Sequence, residues 1–265
     1  MTGMRLAPVL ALVLLLLAPG LARADIDSGL QAFHDGNFPK AQRELLPLQA
    51  DPRAAFALAV MAERGWGTRQ DLPAAVRFYT EAVRGGSVAA MVNLGMLYDI
   101  GRGVPRNGYL AQQLFAGAAR GKDTMGENNL AYLWGRQNGL LEEALCLSAK
   151  TIQADPHNPY FIDTYGFILL RLNRLDDAQR FFEKSLKEKP DYAVAMEHLG
   201  DIARLRGDDR AARDWWQRGR AAADRPDDAE RLKRKLAGRP DDLDGHPPFR
   251  LDSNGFGRDC AMPSV

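Results

Sequence analysis

The sequence predicts an all-α solenoid of about six antiparallel helical hairpins closed by a C-terminal capping helix, and three observations carry that prediction. First, shifting Leu94–Gly121 back by 36 residues lays it over Leu58–Gly85 with Leu94 on Leu58, Gly101 on Gly65, Gly103 on Gly67, Ala111 on Ala75, Ala118 on Ala82 and Gly121 on Gly85. Six matches in one register are an internal repeat. Second, further along the chain the period becomes 34: Ala144, Ala178 and Ala212 align, as do Gly166 with Gly200, Phe182 with Trp216 and Pro156 with Pro190. Third, within each unit apolar residues recur at helical spacing and are interrupted once by glycine or asparagine.

Taken in order, residues 1–24 stand apart. Arg5 is followed by the apolar run Val9–Ala18, and small residues end the segment at Ala24. This is the pattern of a secretory signal peptide cut after Ala24. The apolar run is too short to cross about 30 Å of hydrocarbon at 1.5 Å per residue. No cysteine stands at the cleavage site to take a lipid, and no later stretch is apolar for long enough to span a bilayer.

Residues 25–224 hold the repeats. Gly29–Leu48 has a hairpin pattern with its turn at Gly36, and further hairpins begin near residues 53, 89, 125, 159 and 193, the first near 26. In the unit opening near 89, Leu94, Leu97 and Tyr98 mark one helix, and Ala111, Leu114, Phe115 and Ala118 mark the next. Gly101 and Gly103 separate them, because glycine takes the left-handed conformation that ends a helix and Pro105 discourages its continuation. Alanine at the crossings lets two backbones approach. In the unit that Pro190 closes, Asn173 marks the turn. Residues 225–238 form the cap: proline and aspartates start a charged helix, Leu232 and Leu236 lie one turn apart, and Gly238 stops it. A solenoid needs such a polar end. Residues 239–265, rich in proline, glycine and aspartate and without period, read as an extended or disordered tail.

The 36-residue units, with LGMLYDIGRGVP followed by AA and G, resemble Sel-one-like repeats. The 34-residue units, with small or aromatic residues at fixed positions and a closing proline, resemble tetratricopeptide repeats. The resemblance covers about residues 26–224 and implies a right-handed superhelix. It is weaker between Asn129 and Pro156, where Gln137 replaces the glycine of the longer unit. Secreted Sel-one-like proteins with penicillin-hydrolysing activity carry a cysteine pair in each repeat, which this chain lacks.

Little in the sequence points to catalysis. His34, His157, His198 and His246 fall in different segments without a partner at helical metal-ligand spacing, so no metal site and no cofactor is expected. There is no P-loop, strand-linked glycine motif or nucleophilic serine motif. After removal of the leader, 33 basic residues face 34 acidic ones, which disfavours a nucleic-acid partner. Only Cys146 and Cys260 remain for an oxidising compartment. They either form a disulfide that pins the tail, or stand as a packed Cys146 and a free tail thiol.

The expected function is therefore surface recognition. In a tetratricopeptide stack the first helix of each hairpin lines the inner groove. The resemblance carried onto this sequence gives Asn93, then Asn129, Leu133 and Arg136, then Tyr160, Asp163, Phe167 and Arg171, and finally Glu197, Asp201 and Arg204. Asn93 and Asn129, one repeat apart, form an expected ladder for the backbone of an extended peptide. Arg136, Arg171 and Arg204 form an expected series for carboxylates. The same residues also fit plain solvated helix faces, and Tyr160 and Phe167 also fit a core. The leading expectation is a non-catalytic periplasmic scaffold for a protein or peptide partner of the cell envelope, in assembly, secretion or maturation. The alternative is recognition or modification of cell-wall glycan, which requires Tyr160, Trp215 and Asp163 to be exposed together. A small hydrolase is a third possibility, and it requires a cleft of shifted acid and base groups.

Overall fold

A computed structural model describes residues 25–238. The predicted leader at 1–24 and the tail at 239–265 lie outside the described residues. Six hairpins follow one another: α1 (Ile26–His34) with α2 (Phe38–Leu45), α3 (Pro52–Arg64) with α4 (Leu72–Arg84), α5 (Val88–Ile100) with α6 (Gly108–Arg120), α7 (Thr124–Arg136) with α8 (Leu141–Ala154), α9 (Pro159–Arg171) with α10 (Leu175–Glu188), and α11 (Ala193–Leu205) with α12 (Asp209–Ala222). A single helix, α13 (Pro226–Leu236), ends the stack, and a short 3₁₀ turn, Leu46–Leu48, follows α2. The two helices of each hairpin pack on each other and the second helix packs on the unit that follows, which makes an α-solenoid.

The helix starts follow from local chemistry. Asp51, Asp71, Ser87, Asn107, Asp123 and Asn158 each precede a helix and accept a first-turn backbone N–H on the side chain. Pro52, Pro159 and Pro226 stand in first turns, where a missing N–H costs nothing. Gly101 ends α5 in the left-handed conformation, with φ of 76°. Gly103 serves closeness as well: a Cβ there would meet Leu72 of the preceding unit at 2.7 Å. In the 34-residue units the left-handed turn residue is Asn173, with φ of 60°. Where Gln137 replaces glycine, the helix ends in ordinary right-handed geometry and Asn138 takes the positive φ instead.

Within the hairpins, small residues receive large ones. Ala75, Ala111, Ala144, Ala178 and Ala212 are fully buried at the crossings. A Cβ on Gly95 would lie 2.6 Å from Phe115, one on Gly166 2.9 Å from Phe182, and one on Gly200 2.4 Å from Trp216. A glycine on the first helix is thus the socket for an aromatic ring on the second. The apolar core runs between the layers from α1 to the cap, where Leu232 joins Ala212 and Trp216.

Trp216 cannot step aside, because its Nε1 donates to Asp201 Oδ1 at 3.1 Å. Gly200→Ala should therefore destabilise the chain by about 1–2 kcal/mol, overpacking of about 1–3 kcal/mol outweighing a helix-propensity gain of about 0.5–1 kcal/mol. Urea unfolding measures this. The penalty should shrink in a Trp216→Leu background, and an equal penalty there would show that the socket is not the cause.

Candidate binding groove

The first helices of successive hairpins, together with α13, form one concave wall. On α7 the residues Met125, Asn128, Asn129, Tyr132 and Arg136 recur at the three- and four-residue spacing of a single helix face, and all five line a cavity of about 930 Å³. Advancing by one unit places Tyr160 on Met125, Asp163 on Asn128, Thr164 on Asn129 and Phe167 on Tyr132. A further unit brings Val194, Glu197, His198 and Asp201 to those places, and the cap supplies Asp228, Arg231, Leu232 and Lys235. Position by position, the wall is a set of ladders.

Its rungs are bonded to each other. Arg136 donates to Asp99 across 37 residues of sequence, His198 Nδ1 lies 3.2 Å from Asp163 Oδ1 across 35, and Arg231 pairs with Glu197 across 34 at 2.7 Å. Lys235 Nζ donates to Asp201 at 2.7 Å, also across 34. These separations lie within one residue of the repeat length. A charge on one unit therefore finds its counter-charge at a corresponding height on the next.

Burial makes the pairs matter. Burial alone would push the Glu197 carboxyl up, but the Arg231 hydrogen bonds and the charges of Lys235 and Arg231 hold it down at about 2. At Asp201 burial wins over Lys235 and the carboxyl is raised. For His198, burial disfavours the cation, yet Asp163, Glu197 and Asp201 outweigh it and the imidazole's pKa is raised. The ring is also held against Phe167 and Phe182, with centroids 5.3 and 4.7 Å apart. Arg106 is lowered by burial and by the neighbouring Arg136.

Of the residues expected in the groove, Asn129, Arg136, Tyr160 and Asp163 line the cavity. The others lie elsewhere. Asn93 donates to the Tyr79 hydroxyl at 3.0 Å and so ties α5 to α4. Leu133 and Phe167 are buried in the core, Phe167 with its ring 5.0 Å from that of Tyr132. Glu197 and Asp201 are taken by the cap helix, because α13 continues the wall as the first helix of a seventh unit. Arg171 is half-buried on the last turn of α9, outside the lining. The arginine series does not form, because Arg136 serves Asp99 and Arg204 is exposed and pairs with Asp209 at 3.0 Å. The shortening of the repeat puts Leu205, not Arg204, opposite Arg171, and one residue on a helix turns a side chain by about 100°.

The surface required for glycan recognition does not assemble. Tyr160 is 43% exposed, but Asp163 is buried against His198, and Trp215 lies half-buried with the Arg218 guanidinium 4.1 Å from its ring centre. Among the described residues no cluster of three or more His, Cys, Asp or Glu is placed to hold a metal ion, and no helix is long and apolar enough to cross a membrane. Cys146 is buried on α8 and is not a free thiol. Cys260, its expected partner, lies outside the described residues.

Sequence reasoning missed Asn128, Tyr132 and Asp99. The helical spacing from Met125 contains the first two. Asn128 Oδ1 and Asn129 Nδ2, both buried, have no hydrogen-bond partner among the described residues. Around them Met96, Ile100, Met125 and Tyr160 are 43, 39, 39 and 43% exposed on the same concave surface.

The family model of the Sel1 repeat matches residues 52–87, 88–123 and 191–224. The last of these is a unit whose 34-residue spacing resembles tetratricopeptide repeats, so the two repeat types share one stack. A TPR repeat-containing protein of Pseudomonas aeruginosa is 29% identical over 125 residues, 46% of this chain and 21% of that protein. The chain thus spans about a fifth of that relative's length. Among solved structures, a Sel1 repeat protein from Oxalobacter formigenes superposes with a TM-score of 0.59 at 17% identity, covering 81% of this chain and 87% of the other. A protective antigen of uropathogenic Escherichia coli with an SLR fold gives a TM-score of 0.56 at 20% identity, covering 74% of this chain and 46% of the other.

The ion pairs set a pH dependence. His198 has a raised pKa, so its contribution is fully present below about 6.5 and is lost as pH rises through the folded value. Glu197 has a lowered one, so its contribution is present above about 4.5 and is lost as pH falls toward about 2. Unfolding midpoints across this range should fall at both ends, and His198→Gln should flatten the alkaline limb alone. An unchanged alkaline limb in that variant would remove the His198–Asp163 pair as its cause.

Proposed function

We propose that this solenoid of Sel1 and tetratricopeptide-type repeats is a non-catalytic scaffold of the bacterial periplasm that holds an extended segment of a partner protein across the middle of its groove. The observation that carries the reading is the neighbouring pair of buried amide atoms, Asn128 Oδ1 and Asn129 Nδ2, without partners on the groove wall. A buried polar atom left unbonded costs about 1–3 kcal/mol. One acceptor beside one donor is the complement of a peptide group, which offers one N–H and one C=O.

The surroundings suit a chain segment better than a small molecule. Met96, Ile100, Met125 and Tyr160 spread exposed apolar area over three successive units, which matches side chains spaced along an extended backbone. Methionine adapts its shape to irregular partners. The C-terminal end of the wall is already neutralised by the ion pairs to α13, which directs a partner to α5, α7 and α9. The two buried carboxylates there are engaged structurally: Asp99 by Arg136 and Asp163 by His198. This supports a binding role over acid–base chemistry.

The test is capture from envelope extract by the chain lacking residues 1–24, with a photo-crosslinking residue at position 125 to register contact in the groove. Asn128→Ala with Asn129→Ala should weaken the captured partner's binding about tenfold or more, two hydrogen bonds being worth about 0.5–1.5 kcal/mol each. Circular dichroism should be unchanged. Equal affinity in the double variant, or a partner that never crosslinks at position 125, rejects the groove reading. Export is tested separately: the protein recovered from the periplasmic fraction should begin at Asp25. Recovery in the cytoplasm with residues 1–24 attached would reject that location.

A further inference from the structure

The chain itself shows what the edge of the groove holds where α9 and α11 begin. Lys189, in the loop between α10 and α11, lines the cavity, and its ammonium donates to the Tyr160 hydroxyl at 3.2 Å. Nζ lies 5.4 Å from the centre of the Tyr160 ring and 5.5 Å from that of Tyr192. The two rings meet edge to face with centroids 5.2 Å apart. An ammonium within about 6 Å of a ring centre is attracted by the ring's quadrupole, and here two rings act on one charge. The pair is a cation site with the protein's own lysine in it.

More surrounds that ammonium than one lysine uses. Asp191, Asp224 and Asp227 stand exposed around the same edge of the cavity, yet the Lys189 ammonium bonds the hydroxyl and not a carboxylate. Of the bases beside them, Arg225 and Arg231 both lean on Asp228, at 3.8 and 2.9 Å. Burial first, and then Asp163 and Asp228 among the groups around it, push the Tyr192 hydroxyl well above its ordinary pKa. Carboxylates that disfavour a phenolate favour a cation. Tyr192 also stands at a capping position. The residues before α3, α5, α7 and α9 are Asp51, Ser87, Asp123 and Asn158, and each caps its helix with a side-chain hydrogen bond. The next place in that series, before α11, is Tyr192, which makes no such bond. An aromatic ring thus stands in place of a cap where it meets an ammonium. The α3–α7 end of the cavity has the opposite character: Arg64, Arg102, Arg106 and Arg136 line it against Glu63 and Asp99. A cation entering the groove is thereby directed to the tyrosines.

We infer that Tyr160 and Tyr192 form a subsite for a lysine side chain of the partner segment, and that Lys189 occupies it as a built-in competitor until the segment docks. This subsite rests on the groove reading above. Neighbouring helices lie about 8–10 Å apart and an extended chain advances 3.3–3.6 Å per residue, so a segment held at Asn128 and Asn129 brings a side chain about three residues further along to Tyr160. Lys189 then sets a threshold. A free cation meets an intramolecular rival, whereas a lysine tethered through its own backbone to the amide pair competes at high effective concentration.

The test uses the full chain and capped alanine peptides that differ only at a central lysine, norleucine or glutamate, with affinity read from the tyrosine ring signals by NMR. Lys189→Met should bind the lysine peptide about fivefold or more tighter than the unsubstituted chain does, and the norleucine and glutamate peptides within about twofold. Circular dichroism should be unchanged. Adding Tyr160→Leu should remove the gain, and adding Tyr160→Phe, which keeps the ring, should retain most of it. An unchanged or undetectable lysine affinity in Lys189→Met, an equal gain for norleucine, or a gain that survives Tyr160→Leu overturns the subsite. The groove reading fails by a different result. Asn128→Ala with Asn129→Ala should weaken the lysine and norleucine peptides alike, and no effect on either rejects the amide pair whatever Lys189→Met shows.

Discussion

Close approach of helices within each hairpin is the constraint on which the rest of this structure depends. No single hairpin here can bury its apolar face alone, so the units stack, and stacking at a constant period requires each hairpin to have nearly the same thickness. Alanine at every crossing and glycine opposite an aromatic ring set that thickness. The Gly200 socket leaves no room for even a methyl group beside Trp216. Because interiors are close-packed, a change at one socket is transmitted to the layers on both sides.

From constant thickness follows the register of the groove. When units stack in register, residues one repeat apart lie side by side, and the wall becomes a set of ladders. The chain uses them in two ways. From α9 to α13 the rungs are charged and mutually satisfied: Asp163 with His198, Glu197 with Arg231, Asp201 with Lys235. From α5 to α9, apart from the Asp99–Arg136 pair, the rungs are apolar or amide, and two amide atoms remain without partners among the described residues. The wall is thereby divided into a closed, self-neutralised end and an open middle. Such buried pairs contribute modest net stability, since desolvation offsets much of the attraction, but removing one partner leaves a buried charge unpaired.

The cap belongs to both descriptions. By composition α13 is a charged helix that closes the end of the stack, and its apolar contacts are few, chiefly Leu232 on Ala212 and Trp216. By position it is the first helix of a seventh unit, whose second helix is absent among the described residues. Its charges face two ways as a result: Lys233 and Glu230 toward solvent, Arg231 and Lys235 toward Glu197 and Asp201. A charge run on a solenoid's last helix can therefore be a solvated face and an ionic latch at once.

Much of the fold was legible because its causes are local or periodic. Apolar spacing, glycine and proline punctuation and the 36- and 34-residue periods locate α3, α5, α7, α9 and α11 within one residue of where they begin, since helix ends are set by caps a few residues away. The site was legible only in part. The sequence showed which helices form the wall, and placed Asn129, Arg136, Tyr160 and Asp163 on it. It could not show that Asn93 is drawn aside by the Tyr79 hydroxyl, that Arg136 is already held by Asp99, or that α13 takes Glu197 and Asp201. Those outcomes depend on which groups meet across units, at distances of a few ångströms and separations of 14 to 37 residues. Periodicity by itself determined the solenoid, its count of hairpins and its order. Only the tertiary structure decided which polar groups satisfy one another and which remain for a partner, because hydrogen bonds and ion pairs are settled by contact geometry and not by spacing along the chain.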